Sequence, residues 1–167
     1  HSLIFNDSNS TIDLGYLDSF SSTGDVTVEA WFKPFDNSVP NGYLFCLGGN
    51  GHLALGADEN GAGFVVVMSG NDQYGNGAEY STSNVWHHVA GVYNSSNNTS
   101  YIYLDGVLQN EVLTADTPLY SPNSNFSNIG SYYAPFYGGT FNGLIADVHI
   151  THDIPVSYTH LRAHETE

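Results

Sequence analysis

Apolar and polar positions alternate with a period of two through much of this chain, and the clearest case is GDVTVEAWFKP. Val26, Val28, Ala30 and Phe32 point one way and Thr27, Glu29, Trp31 and Lys33 the other, until Pro34 ends the run. The first face is core; the second is either a half-covered sheet surface or a ligand face, and Trp31 serves either packing or sugar stacking. A second strong pattern covers residues 86–108, WHHVAGVYNSSNNTSYIYLDGVL. Two strand-forming runs, 86–93 and 101–104, flank a polar loop, and Asp105-Gly106 then supplies a type I′ turn into a third strand. Shorter runs follow the same rule: 3–5, 11–14, YLFCLGG, HLALGA, GFVVVMSG and 128–131. The stretch 71–84 reads as a long glycine-rich loop, and 111–127, with Pro118 and Pro122, as a return connection with little regular structure. In the closing run GLIADVHI, alternation turns Leu144, Ala146, Val148 and Ile150 inward and leaves Ile145, Asp147 and His149 on the outer face. No capped amphipathic run of helical length precedes Pro155, so the chain is expected to be all-β, a sandwich or barrel of short antiparallel strands.

Composition narrows the partners. Seventeen carboxylates face only Lys33 and Arg162, a net charge of -15, which repels phosphate backbones and argues against nucleic acid or an anionic membrane. No apolar run is long enough to span a bilayer, so membrane insertion is not expected. A surface of amides, hydroxyls and carboxylates suits an extracellular protein, as do N-x-S/T triplets at Asn6, Asn9, Asn94, Asn97, Asn98 and Asn125. Cys46 stands alone in YLFCLG and reads as a small buried hydrophobe. A chain opening on His1 without methionine suggests a leader or upstream domain left out.

These segments carry a resemblance. W-H-H-V-A-x-x-Y followed by Y-x-Y-L-D-G-V, together with LIFNDSNSTIDLG, VTVEAWFKP, NIG and FNGLIADVHI, is similar to the laminin G-like and concanavalin A-like lectin family over about residues 2–152. The resemblance implies a jelly-roll sandwich of two antiparallel sheets in which the first and last strands are neighbours. It also implies a calcium ion on the outer face between the first turn and the last strand, with Asn6, Asp7 and Asp147 as the matching donors. An acidic chain rich in Asn and Gly turns is chemically suited to supply calcium's oxygen ligands. The ending, PVSYTHLRAHETE, departs from the family and resembles a translated sequencing adapter; residues 1–154 are therefore read as the domain and 155–167 as a non-native tail, a hint of metagenomic origin.

Catalytic chemistry is not expected. A laminarinase-like glycosidase needs two carboxylates on one face, with a Glu-x-Asp-x-x-Glu signature that is absent; Glu29, Glu59, Glu79 and Glu111 stand apart. His87 and His88 are adjacent on a strand, point to opposite faces, and cannot chelate one ion together; Asp105 is explained by its turn. The ligand-binding candidates are the aromatics of two loops, Tyr74 and Tyr80 in one, Tyr132, Tyr133, Phe136 and Tyr137 in the other. Loops mixing Tyr, Asn and Gly suit glycans, subunit contacts, or packing over their own rings. The expectation is a non-enzymatic recognition and adhesion module, outside the cell, on its surface or on a virion, binding glycans or protein surfaces. The alternative is a self-assembling structural subunit of a filament or a capsid decoration.

Overall fold

A computed structural model describes residues 1–6, 10–15, 17, 24–35, 42–47, 53–58, 61–68, 73–80, 83–116, 127–131 and 139–154, apart from the side chains of Asp58 and Tyr74. Twelve strands make up the regular structure of these residues: β1 Leu3–Phe5, β2 Ile12–Gly15, β3 Val26–Pro34, β4 Gly42–Leu47, β5 Leu53–Asp58, β6 Gly61–Val67, β7 Gln73–Glu79, β8 His87–Asn94, β9 Thr99–Leu104, β10 Val107–Leu113, β11 Ser127–Ile129 and β12 Gly143–Thr151. They form two six-stranded antiparallel sheets. Sheet A runs β1-β12-β3-β8-β9-β10 and sheet B runs β2-β11-β4-β5-β6-β7. The expected all-β jelly-roll sandwich is what forms, with the first and last strands paired through Leu3 and Ile145.

The core lies between the sheets and is built from the inward face of each. Val26, Val28, Ala30 and Phe32 of β3 meet Leu44, Phe45, Leu53, Leu55, Phe64 and Val66 of sheet B. Phe32, Phe45 and Phe64 are completely buried or nearly so, and each such side chain contributes roughly 1.5–3 kcal/mol of hydrophobic stabilisation. Gly91 of β8 belongs to this packing, because a Cβ there would sit 2.1 Å from the Phe64 ring. One polar contact bridges the layers: the Asn76 amide on β7 donates to Ser100 Oγ on β9 at 2.7 Å, both residues buried.

Two expectations needed correction. Residues 73–79 of the expected loop 71–84 are a strand, paired residue for residue with β6. Its glycines lower strand propensity, but the ladder and the buried Asn76 and Ala78 hold it in the sheet. In β12 the alternation breaks. Ala146 pairs with Trp31 and His149 with Glu29, so three steps on β12 oppose two on β3, a bulge in which Asp147 takes φ 48°. The extra residue flips the phase: Ile145, expected outside, is in the core, while Val148 and Ile150 pack inward beyond the bulge. Leu144 and Ala146 are therefore not the inward residues that uninterrupted alternation implied.

Candidate functional site

The outer face of sheet A is occupied by its own side chains. Trp31 is half-buried with its ring 5.1 Å from that of His88. Glu29, opposite His149 in the ladder, lies between two imidazoles: its Oε2 is 3.4 Å from His88 Nε2 and its Oε1 3.5 Å from His149 Nδ1. Next to them Ala90, Val92 and Tyr103 form a small second cluster, covered in part by Tyr101 and Ile154. The chain beyond β12 is tied over this face, since Thr27 Oγ1 donates to the Asp153 carbonyl at 2.7 Å. The ring contact with His88 supports the packing reading of Trp31.

His87 and His88 do point apart. His87 Nδ1 lies 2.9 Å from Asp105 Oδ2, while the His88 backbone N–H donates to Asp105 Oδ1 at 2.9 Å. Asp105 and Gly106 both have positive φ, 51° and 77°, as a type I′ turn requires. The turn carboxylate thus does more than bond its own backbone, because it locks the β9–β10 turn onto the start of β8.

The outer face of sheet B is different in kind. Tyr43, Gly56, Gly63 and Gly77 are consecutive ladder partners across β4, β5, β6 and β7. A row of three glycines on three adjacent strands leaves a bare strip of backbone, flanked by Ala54 and Val65 on one side and by Gly61 and Glu79 on the other. These residues line a groove of about 470 Å³. At neighbouring-strand spacings of about 4.8 Å, the row from Tyr43 to Gly77 is roughly 14 Å long. Packing does not require these glycines equally. A Cβ on Gly77 would meet nothing within 4 Å, and one on Gly63 only an ordinary contact at 3.6 Å, whereas Gly56 is tight at 3.1 Å from the Gly42 carbonyl. Interior strand glycines weaken a sheet, and a common reason to keep them is close approach of something to the backbone.

Tyr43 forms one end of the groove. Its backbone N–H donates to the Gly139 carbonyl at 3.2 Å and bridges to Thr140, which fixes the start of β4. Burial, with a smaller contribution from Cys46, pushes its phenol above the ordinary value of 10.0, so the hydroxyl stays neutral at physiological pH. Cys46 itself is buried, as expected.

Of the residues anticipated as a ligand site, Tyr80 alone has a described side chain. Tyr80 is half-buried with its ring 5.5 Å from Phe32 and 5.1 Å from His87, and packs against the core. The backbone of Tyr74 pairs with Val66 within β7, and its side chain lies outside the described set. Tyr132, Tyr133, Phe136 and Tyr137 are outside the described residues, as are Asp7 and the tail 155–167. The expected calcium donors Asn6 and Asp147 are separated by the register. Phe5 pairs with Gly143 and Leu3 with Ile145, so Asn6 leaves one end of this ladder while Asp147 lies beyond the other, roughly 13 Å away or more at about 3.3 Å per residue. Those two do not converge on one ion. Among the described residues no group of three or more His, Cys, Asp or Glu side chains is arranged to hold a metal. Tyr43, Gly56, Gly63 and Gly77 were not singled out from the sequence, and Glu79 was read only as an isolated carboxylate, although the period-two glycines Gly61/Gly63 and Gly75/Gly77 were the available signal.

No curated protein matches the chain in sequence. Solved structures do match its fold. The native heptameric SAP-like pentraxin from Limulus polyphemus is 17% identical, with TM-score 0.65, 96% of this chain and 78% of that one covered. The CBM40 of the Ruminococcus gnavus IT-sialidase, bound to alpha2,3 sialyllactose, is 16% identical, with TM-score 0.70 and coverage of 92% and 95%. Domains LG4-5 of the mouse laminin alpha1 chain are 16% identical, with TM-score 0.69, covering 91% of this chain but 42% of that one. The family described as the concanavalin A-like lectin/glucanases superfamily matches residues 6–154. With its two-sheet jelly roll and the matched segment spanning nearly the whole domain, the chain belongs to the concanavalin A-like lectin/glucanase superfamily and is laminin G-like.

Proposed function

We propose that this chain is a non-enzymatic recognition module of the cell exterior or of a virion surface, that it binds glycans, and that the groove across sheet B is where it does so. One observation carries the reading: the in-register Tyr43-Gly56-Gly63-Gly77 row, a bare floor that packing does not demand at Gly63 or Gly77. A sugar ring can lie flat on such a floor, stack its C–H face on Tyr43, and donate hydroxyls to the Glu79 carboxylate. Glu79 is the one carboxylate among the described lining residues. Glu29 is engaged with histidines on the opposite side of the sandwich. The sialyllactose-bound module of like fold supports the glycan reading, and the surface rich in amides, hydroxyls and carboxylates supports an extracellular setting.

The test is a glycan array followed by calorimetry on the wild type and on Gly77→Val, whose Cβ would meet nothing within 4 Å. Binding by the wild type that the variant loses, with an unchanged melting temperature, supports the site. Binding that ignores the substitution overturns it.

A second reading, self-assembly as a structural subunit, is favoured by the edges of sheet A. Edge strand β1 exposes Leu3 and Ile4, and the opposite edge β10 exposes Val107, Leu108 and Leu113. Unpaired apolar edges can join head to tail. Native mass spectrometry separates the readings: particles far above the 18.1 kDa chain favour assembly, and a single chain that binds a glycan favours recognition. Calcium belongs to the proposal as a stabiliser. If added calcium raises the melting temperature, at most one of Asp147→Ala and Asn6→Ala is expected to remove the rise, because the register holds the two residues apart; a rise abolished by each of the two single substitutions would contradict that register argument.

A further inference from the structure

We infer that the sheet B groove selects an uncharged, extended saccharide and discriminates against acidic sugars; this rests on the groove being the glycan site. The groove lining comprises glycines, alanines, Val65, Tyr43 and Glu79, with no cation among the described residues. The chain has two Lys or Arg residues in all. Lys33 is on β3 in sheet A, on the face opposite Phe32 and so directed away from the core and from sheet B. Arg162 lies outside the described residues.

Carboxylated and sulfated sugars are held by charge-assisted hydrogen bonds, above all from the planar fork of arginine. This groove offers the reverse. Glu79 is exposed at one margin, in the row of Gly61, and would face an acidic sugar as a like charge. The net charge of -15 adds a long-range field that lowers the local concentration of any anion. The charged group that the described lining does present, the carboxylate of Glu79, suits hydroxyls, because it accepts from them.

Shape points the same way. The row is roughly 14 Å from Tyr43 to Gly77 by strand spacing, and it runs across the strands with no side chain larger than hydrogen interrupting it between Gly56 and Gly77. A single sugar would use part of that floor. A chain of several neutral sugars would cover it, with one ring against Tyr43.

The experiment is calorimetry of the isolated chain, wild type and Gly77→Val, with three sets of probes: neutral gluco-, xylo- and manno-oligosaccharides, sialyllactose, and a sulfated hexasaccharide, each at roughly 50 and 500 mM salt. The expected result is binding of at least one neutral oligosaccharide about tenfold or more tighter than either acidic probe. Its affinity should change little with salt and be lost in Gly77→Val, while Glu79→Gln should narrow the discrimination against acidic probes. An acidic probe that binds best and is lost in Gly77→Val overturns the selectivity and leaves the site standing. Binding of any probe that survives Gly77→Val overturns the site, and with it the inference. A folded wild type that binds none of the probes counts against both.

Discussion

The two outer faces of this sandwich are built from strands of the same kind and end in opposite states. On sheet A, Glu29 between His88 and His149, Trp31 against His88, and the Ala90-Val92-Tyr103 cluster leave the face filled by the chain's own groups. On sheet B, the corresponding strip is glycine on three neighbouring strands. The first face lowers its free energy internally, by packing its own side chains together. The second forgoes side-chain contacts that it could have made, at least at Gly63 and Gly77, and leaves room for a partner. A sandwich needs only its inner faces to fold, so the contrast between the outer ones is what the proposed glycan site rests on.

The comparison can be broken in several ways, of decreasing expected effect. Gly91→Ala is the control for a glycine that packing does require. Its Cβ would overlap the Phe64 ring, and the substitution is expected to cost about 3 kcal/mol in denaturant unfolding, the upper end of overpacking costs. A silent result would mean that the Phe64 ring can move aside and that close approach to Gly91 is not a packing requirement. Trp31→Ala should cost about 2 kcal/mol, less than a fully buried aromatic because the ring is half-exposed, and leave glycan binding untouched. Loss of binding there would move the site to sheet A. Gly77→Ala should sit within about 0.5–1 kcal/mol of wild type, on the stabilising side, since the added methyl is unobstructed and reduces unfolded-state freedom. A large destabilisation would mean the floor is structural.

The smallest effect concerns alkali. Burial raises the phenols of Tyr43 and Tyr93 above 10.0. A folded-state value above the unfolded one means stability is intact below pH 10 and falls as pH climbs from there through the folded-state values. Phenylalanine at both positions should flatten that alkaline decline in a melting-temperature profile, and an unchanged profile would assign the decline to other groups.

How much could be read from the sequence follows from the same physics. The β3 pattern was legible because the strand is regular and its inner face is uninterrupted core, from Val26 to Phe32. The Asp105-Gly106 turn was legible because few residues accept its backbone. The phase of β12 was not, because a bulge at Asp147 inserts one residue without any change in composition. Strand β7 was hidden for a related reason. QYGNGAE has the composition of a loop, and it is the ladder to β6, with the Asn76–Ser100 bond, that makes it a strand. The groove stayed invisible with it, because a floor of glycines is defined by what three strands lack at one register. Aromatic side chains drew attention instead, and Tyr80 proved to be occupied with the core.

The most direct measurement is a two-dimensional amide correlation spectrum of the isotope-labelled chain, titrated with a neutral oligosaccharide identified on the array. Glycine amides resolve well, so the floor reports on itself. The account predicts that Gly56, Gly63, Gly75 and Gly77 shift progressively with Tyr43 and Glu79 while Gly91, His88 and Trp31 stay in place. Shifts centred on Trp31, His88 and His149, with the sheet B glycines unmoved, would contradict it.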